Sequence, residues 1–222
     1  MRTLKLLAGL ALLPRLLTAQ QSPIDRLRAV LPAAVADKVI AIVTDATSRG
    51  LPGQAIADRA LEAIAKGRNG DEVSAAAQAF AADLAGAHAA LQHAGRNPDV
   101  SEIEAAATAK ELGVDGAAIS ALASSAPSGR SLAVPLAVIG ALVNRGLPSD
   151  GALQAVLDRL TARASDAELV EMPGEAGRMI AAGYKPSDVG RALGAAGRPS
   201  GVPANSGRPG ARPTRPSKPT PP

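Results

Sequence analysis

The tetrapeptide Arg-Gly-Leu-Pro occurs twice in this chain, at 49–52 and at 145–148, and Leu112-Gly113-Val114-Asp115 and Ala182-Gly183-Tyr184-Lys185 are looser copies. A glycine in the left-handed conformation ends a helix, and the apolar residue after it folds back on that helix. Proline then suits the first turn of the next helix, where no amide hydrogen is needed. Each copy therefore predicts two helices joined by a tight turn.

The spacing of these turns indicates repetition. Their glycines are 63, 33 and 37 residues apart, which is close to the period of helix-pair repeats if one degenerate unit lies near residues 80–95. No segment shows the two-residue alternation of a half-buried strand. The sequence predicts an all-α fold in which helical hairpins form an irregular bundle or a short α-solenoid.

Capping signals place the helix starts. A hydroxyl lies three residues before a carboxylate in Ser22–Asp25, Ser101–Glu104 and Ser165–Glu168, the pattern of a capping box. Simple N-caps are predicted at Asp71 and Asp115, and first-turn prolines at Pro32, Pro52 and Pro148.

Two helices are predicted to dominate the core. The longest is expected from about Glu72 to Ala94, where apolar residues recur at spacings of four and three: Val73, Ala77, Phe80, Leu84, Ala87 and Leu91. The apolar run 132–143 is too short to span a bilayer and contains Pro135 and Gly140. It is predicted to be a buried core helix.

Composition limits the kind of core and site. The chain has one Phe, one Tyr, no Trp and no Cys. Small aliphatic side chains must therefore form the core, no disulfide can form, and a large aromatic-lined ligand pocket is disfavoured.

The first residues are typical of a secretory signal peptide. Arg2 and Lys5 precede the apolar stretch 6–13, which is followed by Pro14 and by Leu-Thr-Ala at 17–19. We expect export to the periplasm or the exterior, with a signal peptide at 1–19, a helical domain at 20–197 and a disordered Pro/Arg-rich tail at 198–222.

Charge is unevenly distributed along the chain. Removing the eight cations of the two ends leaves 16 basic and 20 acidic residues in between, so a nucleic-acid-binding body is disfavoured. The tail has five cations and no acid: Arg198, Arg208, Arg212, Arg215 and Lys218. These five residues are candidate contacts with anionic lipid or cell-wall polymer.

Catalytic and metal-binding patterns are weak. His88 and His93 are five residues apart, which places them about 140° apart on a helix and argues against a shared metal ion. Carboxylates for glycan hydrolysis are conceivable at Asp58/Glu62 and at Asp166/Glu168/Glu171. Capping by Glu168 and a Glu62–Lys66 ion pair explain these acids better.

Two further motifs have structural explanations. The serines at 124, 125, 128 and 131 suggest a nucleophile loop, but no histidine is near in sequence, and an interhelical loop is preferred. The small residues Gly190 and Gly194 are interpreted as helix-packing positions. No cofactor motif is recognised.

The segment Pro-Ser-Gly-Arg-Ser-Leu-Ala-Val-Pro-Leu at 127–136, followed by Arg145-Gly-Leu-Pro, resembles a loose class of uncharacterised exported, alanine-rich helical proteins. The resemblance covers roughly residues 100–165 and implies helices and export, with no activity. The repeated hairpins, the weak catalytic patterns and the basic tail lead us to expect an exported helical scaffold or protein-interaction module of unknown partner, with an envelope protein or an anionic surface polymer as the candidate partners. Attachment to anionic lipid or cell-wall polymer through the basic tail is the alternative, and a carboxylate-dependent envelope hydrolase is the third hypothesis.

Overall fold

The computed structural model describes residues 22–196. The predicted signal peptide at 1–19 and the tail cations from Arg198 to Lys218 lie outside the described residues, so these expectations remain predictions.

Within residues 22–196 every regular element is an α-helix and no strand occurs. The helices are α1 (Pro23–Val30), α2 (Ala33–Ser48), α3 (Gly53–Ala65), α4 (Gly70–His93), α5 (Val100–Glu111), α6 (Gly116–Ser125), α7 (Ala133–Asn144), α8 (Ser149–Thr161), α9 (Asp166–Ala181) and α10 (Pro186–Ala196). The all-α prediction is confirmed. None of these helices is long and apolar enough to cross a membrane.

The predicted turns are confirmed at all four glycines. Gly50, Gly113, Gly146 and Gly183 have positive φ values of 76°, 98°, 93° and 92°. After each of them, the next amide bonds back to a carbonyl five residues earlier, as from Leu147 to Leu142, which is the Schellman pattern.

Three further helix ends are of the same kind, although the sequence pattern did not predict them. Gly67 and Gly95 close α3 and α4 in the same way, and Arg163 closes α8 with a φ of 62° although it carries a side chain. The degenerate unit expected near residues 80–95 does not form a separate hairpin, because residues 80–93 lie within α4, which is closed by Gly95. Consequently, successive helix ends in the second part of the chain are separated by about half the length of one helix-pair repeat.

Several capping predictions hold and two are wrong. Ser22 and Asp115 are N-caps, and Ser165 forms a capping box with Glu168. The box of α5 uses Asp99 with Glu102 instead of Ser101 with Glu104, because the chain turns two residues earlier than predicted. The side chain of Asn69, and not that of Asp71, accepts from the first amides of α4. The three prolines predicted in the first turn lie one residue before it, at the N-cap position: Pro32, Pro52 and Pro148.

The chain divides into two compact units between Ala82 and Asp83, inside α4. In the first unit α1 packs on α2 and α3, and α2 packs on α3. Leu27 and Ile56 are completely buried there. Gly53 lies so close to α2 that an added Cβ would meet Thr47.

The second unit is a stack of helices in two layers. Helix α7 packs between α5 and α9, and α8 packs against both α6 and α10. Each helix thus contacts the helix two places further along the chain, as in helix-pair repeats. Helix α7 contributes the predicted core segment, since Leu136, Ile139 and Leu142 are buried.

Small residues bring these helices together. A Cβ on Gly190 of α10 would lie 2.9 Å from the backbone oxygen of Gly151 in α8, and a Cβ on Gly194 would meet Asp158. The interpretation of Gly190 and Gly194 as packing positions is confirmed.

The six apolar residues that recur along α4 at spacings of four and three are buried, as predicted: Val73, Ala77, Phe80, Leu84, Ala87 and Leu91.

Candidate functional site

A cleft of about 560 Å³ opens in the second unit, where α4 and α6 end. Its lining comes from the turn after α4, the start of α5, the end of α6 and the loop that leads to α7. Binding sites of small ligands and peptide side chains have volumes of this order. We call it the Arg96 cleft, after the arginine that four carbonyl groups surround.

The guanidinium of Arg96 is fixed by backbone carbonyls. Nε donates to Ala123 at 2.9 Å, and Nη2 donates to Ala126 and Pro127 at 3.0 and 3.3 Å. Nη1 donates to Arg130 at 3.4 Å. The last carbonyls of a helix have no partner within the helix and attract cations, so Arg96 caps the end of α6.

The carboxylate of Glu102 accepts hydrogen bonds from two backbone amides at the Arg96 cleft. Glu102 is the one buried charged residue among residues 22–196, with 8% of its surface exposed. Its Oε1 accepts from the amide of Leu132 at 2.7 Å, and its Oε2 accepts from the amide of Asp99 at 3.3 Å. One carboxylate therefore fixes the starts of α5 and α7 together.

Asp99 completes the start of α5. Its Oδ1 accepts from the Ser101 hydroxyl at 2.6 Å and from the Glu102 amide at 2.9 Å. These bonds hold the pKa of Asp99 below its ordinary range, and the bond from the Ser101 hydroxyl contributes most. Asp99 is therefore a stable anion at the cleft wall.

Arg130 repeats the role of Arg96 one hairpin later. It lines the cleft with its backbone, while its side chain points to the next hairpin: Nη1 donates to Ala164 and Nη2 to Asp166, each at 2.7 Å. Arg159 of α8 likewise donates to the carbonyl of Leu193 at 3.0 Å and pairs with Glu175. Successive hairpins are linked by arginine bonds to backbone oxygen.

Three of the four clustered serines lie at this cleft, whereas Ser125 is not part of its lining. Ser124, Ser128 and Ser131 line it, and Ser128 and Ser131 are exposed. Ser124 donates to the carbonyl of Ser120, and Ser131 accepts from the amide of Ala133. No histidine is among the residues that line the cleft, so the cleft presents hydroxyls as hydrogen-bonding groups without a neighbouring imidazole base.

Four of the five candidate carboxylates have structural partners, whereas Glu171 is exposed on α9. Glu62 pairs with Lys66 and Arg59, each at 2.6 Å, and the hydrogen bond from Lys66 is the main cause that lowers its pKa. Asp58 pairs with Arg26 at 2.7 Å. Asp166 pairs with Arg130. The pKa of Glu168 is lowered chiefly by the amide of Ser165, which it caps.

The two histidines lie on α4 without forming a site. His88 is half-buried and His93 is exposed. Among the described residues no group of three or more His, Asp or Glu side chains is placed to hold a metal ion.

The first unit has a second cleft, of about 420 Å³. Alanines of α3 and α4 line it together with three cations and two acids, Arg59, Lys66, Arg68, Glu62 and Glu72. Arg59 also lies 4.8 Å from the centroid of the Phe80 ring. The charged side chains at the rim of this second cleft already form ion pairs, so the second cleft is a weaker candidate than the Arg96 cleft.

One sequence signal for the Arg96 cleft was overlooked. Gly-Arg-Asn-x-Asp occurs at 67–71 and again at 95–99. In both copies the glycine has a positive φ, so the motif marks a helix end followed by a new start. Only long-range packing decides that Arg96 reaches other helices. The Nη1 of Arg68, by contrast, lies 3.5 Å from the Oε1 of Glu72 in the first turn of α4, four residues further along the chain.

Comparisons with protein-family models, curated proteins and solved structures give no match to this chain.

Proposed function

We propose that the protein is an exported helical scaffold that binds a segment of an envelope protein in the Arg96 cleft. The observation that carries the proposal is that charged side chains fixed by hydrogen bonds lie in the same cleft as exposed hydroxyl groups. Arg96 and Glu102 are held by hydrogen bonds to backbone, while the hydroxyls of Ser128 and Ser131 are exposed at the cleft.

Polar groups held in place favour binding because fewer side chains must be ordered when the partner arrives. The lining offers donors and acceptors, with hydroxyls beside the carboxylate of Asp99. A polypeptide main chain carries both amides and carbonyls. We therefore favour an extended peptide segment over a purely anionic or purely apolar ligand.

Site-specific photocrosslinking tests this function. In one variant a photoreactive phenylalanine analogue replaces Ser128 in the cleft. In the control variant it replaces Ser187, which is exposed in the first turn of α10. The full chain is expressed in cells with intact envelopes. We expect a discrete crosslinked protein from position 128 and none from position 187.

Identical crosslinking patterns at the two positions would count against the cleft. A Ser128→Trp substitution provides a second arm, because its bulk occupies the opening while the backbone remains free to fold. Partner recovery that is unaffected by this substitution would also contradict the proposal.

A second function is favoured by the charge distribution. The five cations from Arg198 to Lys218 occur with no acid, whereas residues 22–196 have an excess of four acids. We propose attachment of this segment to anionic lipid or cell-wall polymer, with strong salt sensitivity. Binding to anionic vesicles that persists after deletion of residues 197–222 would refute it.

A further inference from the structure

Both cations in the lining of the Arg96 cleft are already used within the protein. Four of the five N–H groups of the Arg96 guanidinium donate to carbonyl oxygens. The side chain of Arg130 points to the next hairpin, where it pairs with Asp166 at 2.7 Å. Neither guanidinium therefore offers a free pair of donors to a ligand in the cleft.

The two carboxylates of the lining differ in what they leave available. Both oxygens of Glu102 accept from backbone amides, and its side chain is buried. Asp99 is exposed, and its two bonds, from the Ser101 hydroxyl and the Glu102 amide, both end on Oδ1. Within residues 22–196 no donor bonds to Oδ2 of Asp99. This oxygen belongs to a carboxylate whose pKa is lowered, so it is charged at neutral pH.

Neutral acceptors lie in the same cleft. Asn97 and Ser128 line it and are exposed, and their side chains make no hydrogen bond within residues 22–196. The amide oxygen and the hydroxyl oxygen each accept hydrogen bonds. The head groups of lysine and arginine carry several donors and no acceptor, which matches one free carboxylate oxygen among neutral acceptors.

We propose that the Arg96 cleft receives a lysine or arginine side chain of the bound peptide, whose head group donates to Oδ2 of Asp99. This inference rests on the proposed function, since it names the side chain by which the cleft recognises a peptide. A carboxylate or a phosphate is a poorer occupant, because Asp99 and Glu102 repel it and Arg96 keeps no pair of N–H groups for a bidentate contact.

A matched pair of peptide probes tests this charge preference. One is a fluorescein-labelled, glycine- and serine-based peptide with a single central lysine, and the other has glutamine in its place. Fluorescence anisotropy is measured with the full chain at low salt. Because Asp99 is exposed, we expect the lysine peptide to bind about fivefold more tightly than the glutamine peptide.

Two matched variants assign the preference to one carboxylate. Asp99→Asn removes the charge and keeps an N-cap acceptor for α5, so it should abolish the preference for lysine without unfolding the helix start. Asp115→Asn makes the same change at the N-cap of α6, where Asp115 is exposed but does not line the cleft. This control should keep the preference.

The variant Ser128→Trp separates this inference from the proposed function. If the two peptides bind alike and Ser128→Trp weakens both, the cleft binds peptides but does not select a cation, and only the inference is wrong. If neither peptide binds, or if Ser128→Trp leaves the affinity of both unchanged, the inference and the cleft fail together. An equal preference for lysine in Asp99→Asn and Asp115→Asn would also overturn the inference.

The cation has two sources, another protein and the five cations of residues 198–222. A combined variant of the full chain distinguishes them by replacing four of these cations with glutamine: Arg208, Arg212, Arg215 and Lys218. Tighter binding of the lysine peptide by this variant supports the cation site and identifies the chain's own tail as a competitor for it. A retained preference at unchanged affinity supports the cation site and assigns its occupant to another protein.

Discussion

The Nε of Arg96 donates to the carbonyl oxygen of Ala123 at 2.9 Å, across 27 residues of sequence. This bond joins the turn that ends α4 to the last turn of α6. The same guanidinium serves three further carbonyls, so one side chain satisfies the end of a helix that has no lysine or arginine in its own last turn.

Replacement of Arg96 by alanine should lower the free energy of unfolding by about 1–3 kcal/mol, because partly buried carbonyls lose their donor. Urea unfolding followed by circular dichroism at the helix band measures the change. The matched control is Arg68→Ala, since Arg68 occupies the same place in the first Gly-Arg-Asn-x-Asp motif but is 60% exposed. Equal losses in the two variants would contradict the capping role of Arg96.

Glu102→Gln should also destabilise the protein, by about 1–3 kcal/mol. Glutamine keeps one acceptor oxygen, so either the amide of Leu132 or that of Asp99 loses its partner. The measurement is the same urea titration. Glu171→Gln, on the exposed side of α9, should change stability little, and a comparable loss there would show that charge rather than bonding is responsible.

Glycine substitutions in the α8–α10 contact should have opposite signs. Gly190→Ala places a Cβ 2.9 Å from the Gly151 carbonyl oxygen, which should cost about 1–3 kcal/mol. Gly151→Ala meets nothing within 4 Å and should stabilise by up to about 1 kcal/mol, because alanine favours the helix. The melting temperatures of the two variants, each compared with that of the parent protein, test this prediction. Stabilisation by both substitutions would mean that α8 and α10 are not in close contact.

The left-handed conformation of Arg163 predicts a stabilising substitution. Its φ of 62° costs a non-glycine residue about 1–2 kcal/mol relative to the right-handed form. Arg163→Gly should therefore raise the melting temperature despite the added freedom of glycine in the unfolded chain. Ala162→Gly, one residue earlier, should lower it, so the two variants have opposite expected signs.

The lowered pKa of Asp99 gives a pH dependence with a defined sign. Since its folded pKa lies below the unfolded value of about 4, the Asp99 carboxylate stabilises the fold at higher pH, and this contribution is lost as pH falls through the folded pKa. Asp99→Asn should consequently differ most from the parent above about pH 5 and converge with it in acid. Urea midpoints across this range, compared with those of Asp37→Asn on α2, measure the effect; a difference that stays constant with pH would exclude it.

The fold was predictable to the extent that signals are local. Glycine turns such as Gly50 and Gly146 and the cap at Ser165 depend on neighbours in sequence, and these predictions are confirmed. The cap of α5 is less predictable, because Asp99 and Ser101 both lie three residues before an acid. Only the path of the chain after Pro98 distinguishes them.

The candidate site was far less predictable. The local sequence marks Ser128 as a candidate nucleophile, but nothing near it in sequence indicates Arg96, which is 32 residues away. Their proximity results from the packing of successive hairpins.

The last hairpin of the second unit has neighbours on one side only within the described chain, where α9 packs on α7 and α10 packs on α8. Opening it breaks the bonds from Arg130 and Arg159, whereas opening α7 disturbs its contacts with both α5 and α9. Local unfolding should therefore begin at α10 and proceed inward in steps, with amide hydrogens exchanging fastest in α10 and slowest in α7. Within the described part of the second unit, resistance to local opening is expected to decrease from α7 to α10, and the exposed Tyr184 lies near the helix that is expected to open first.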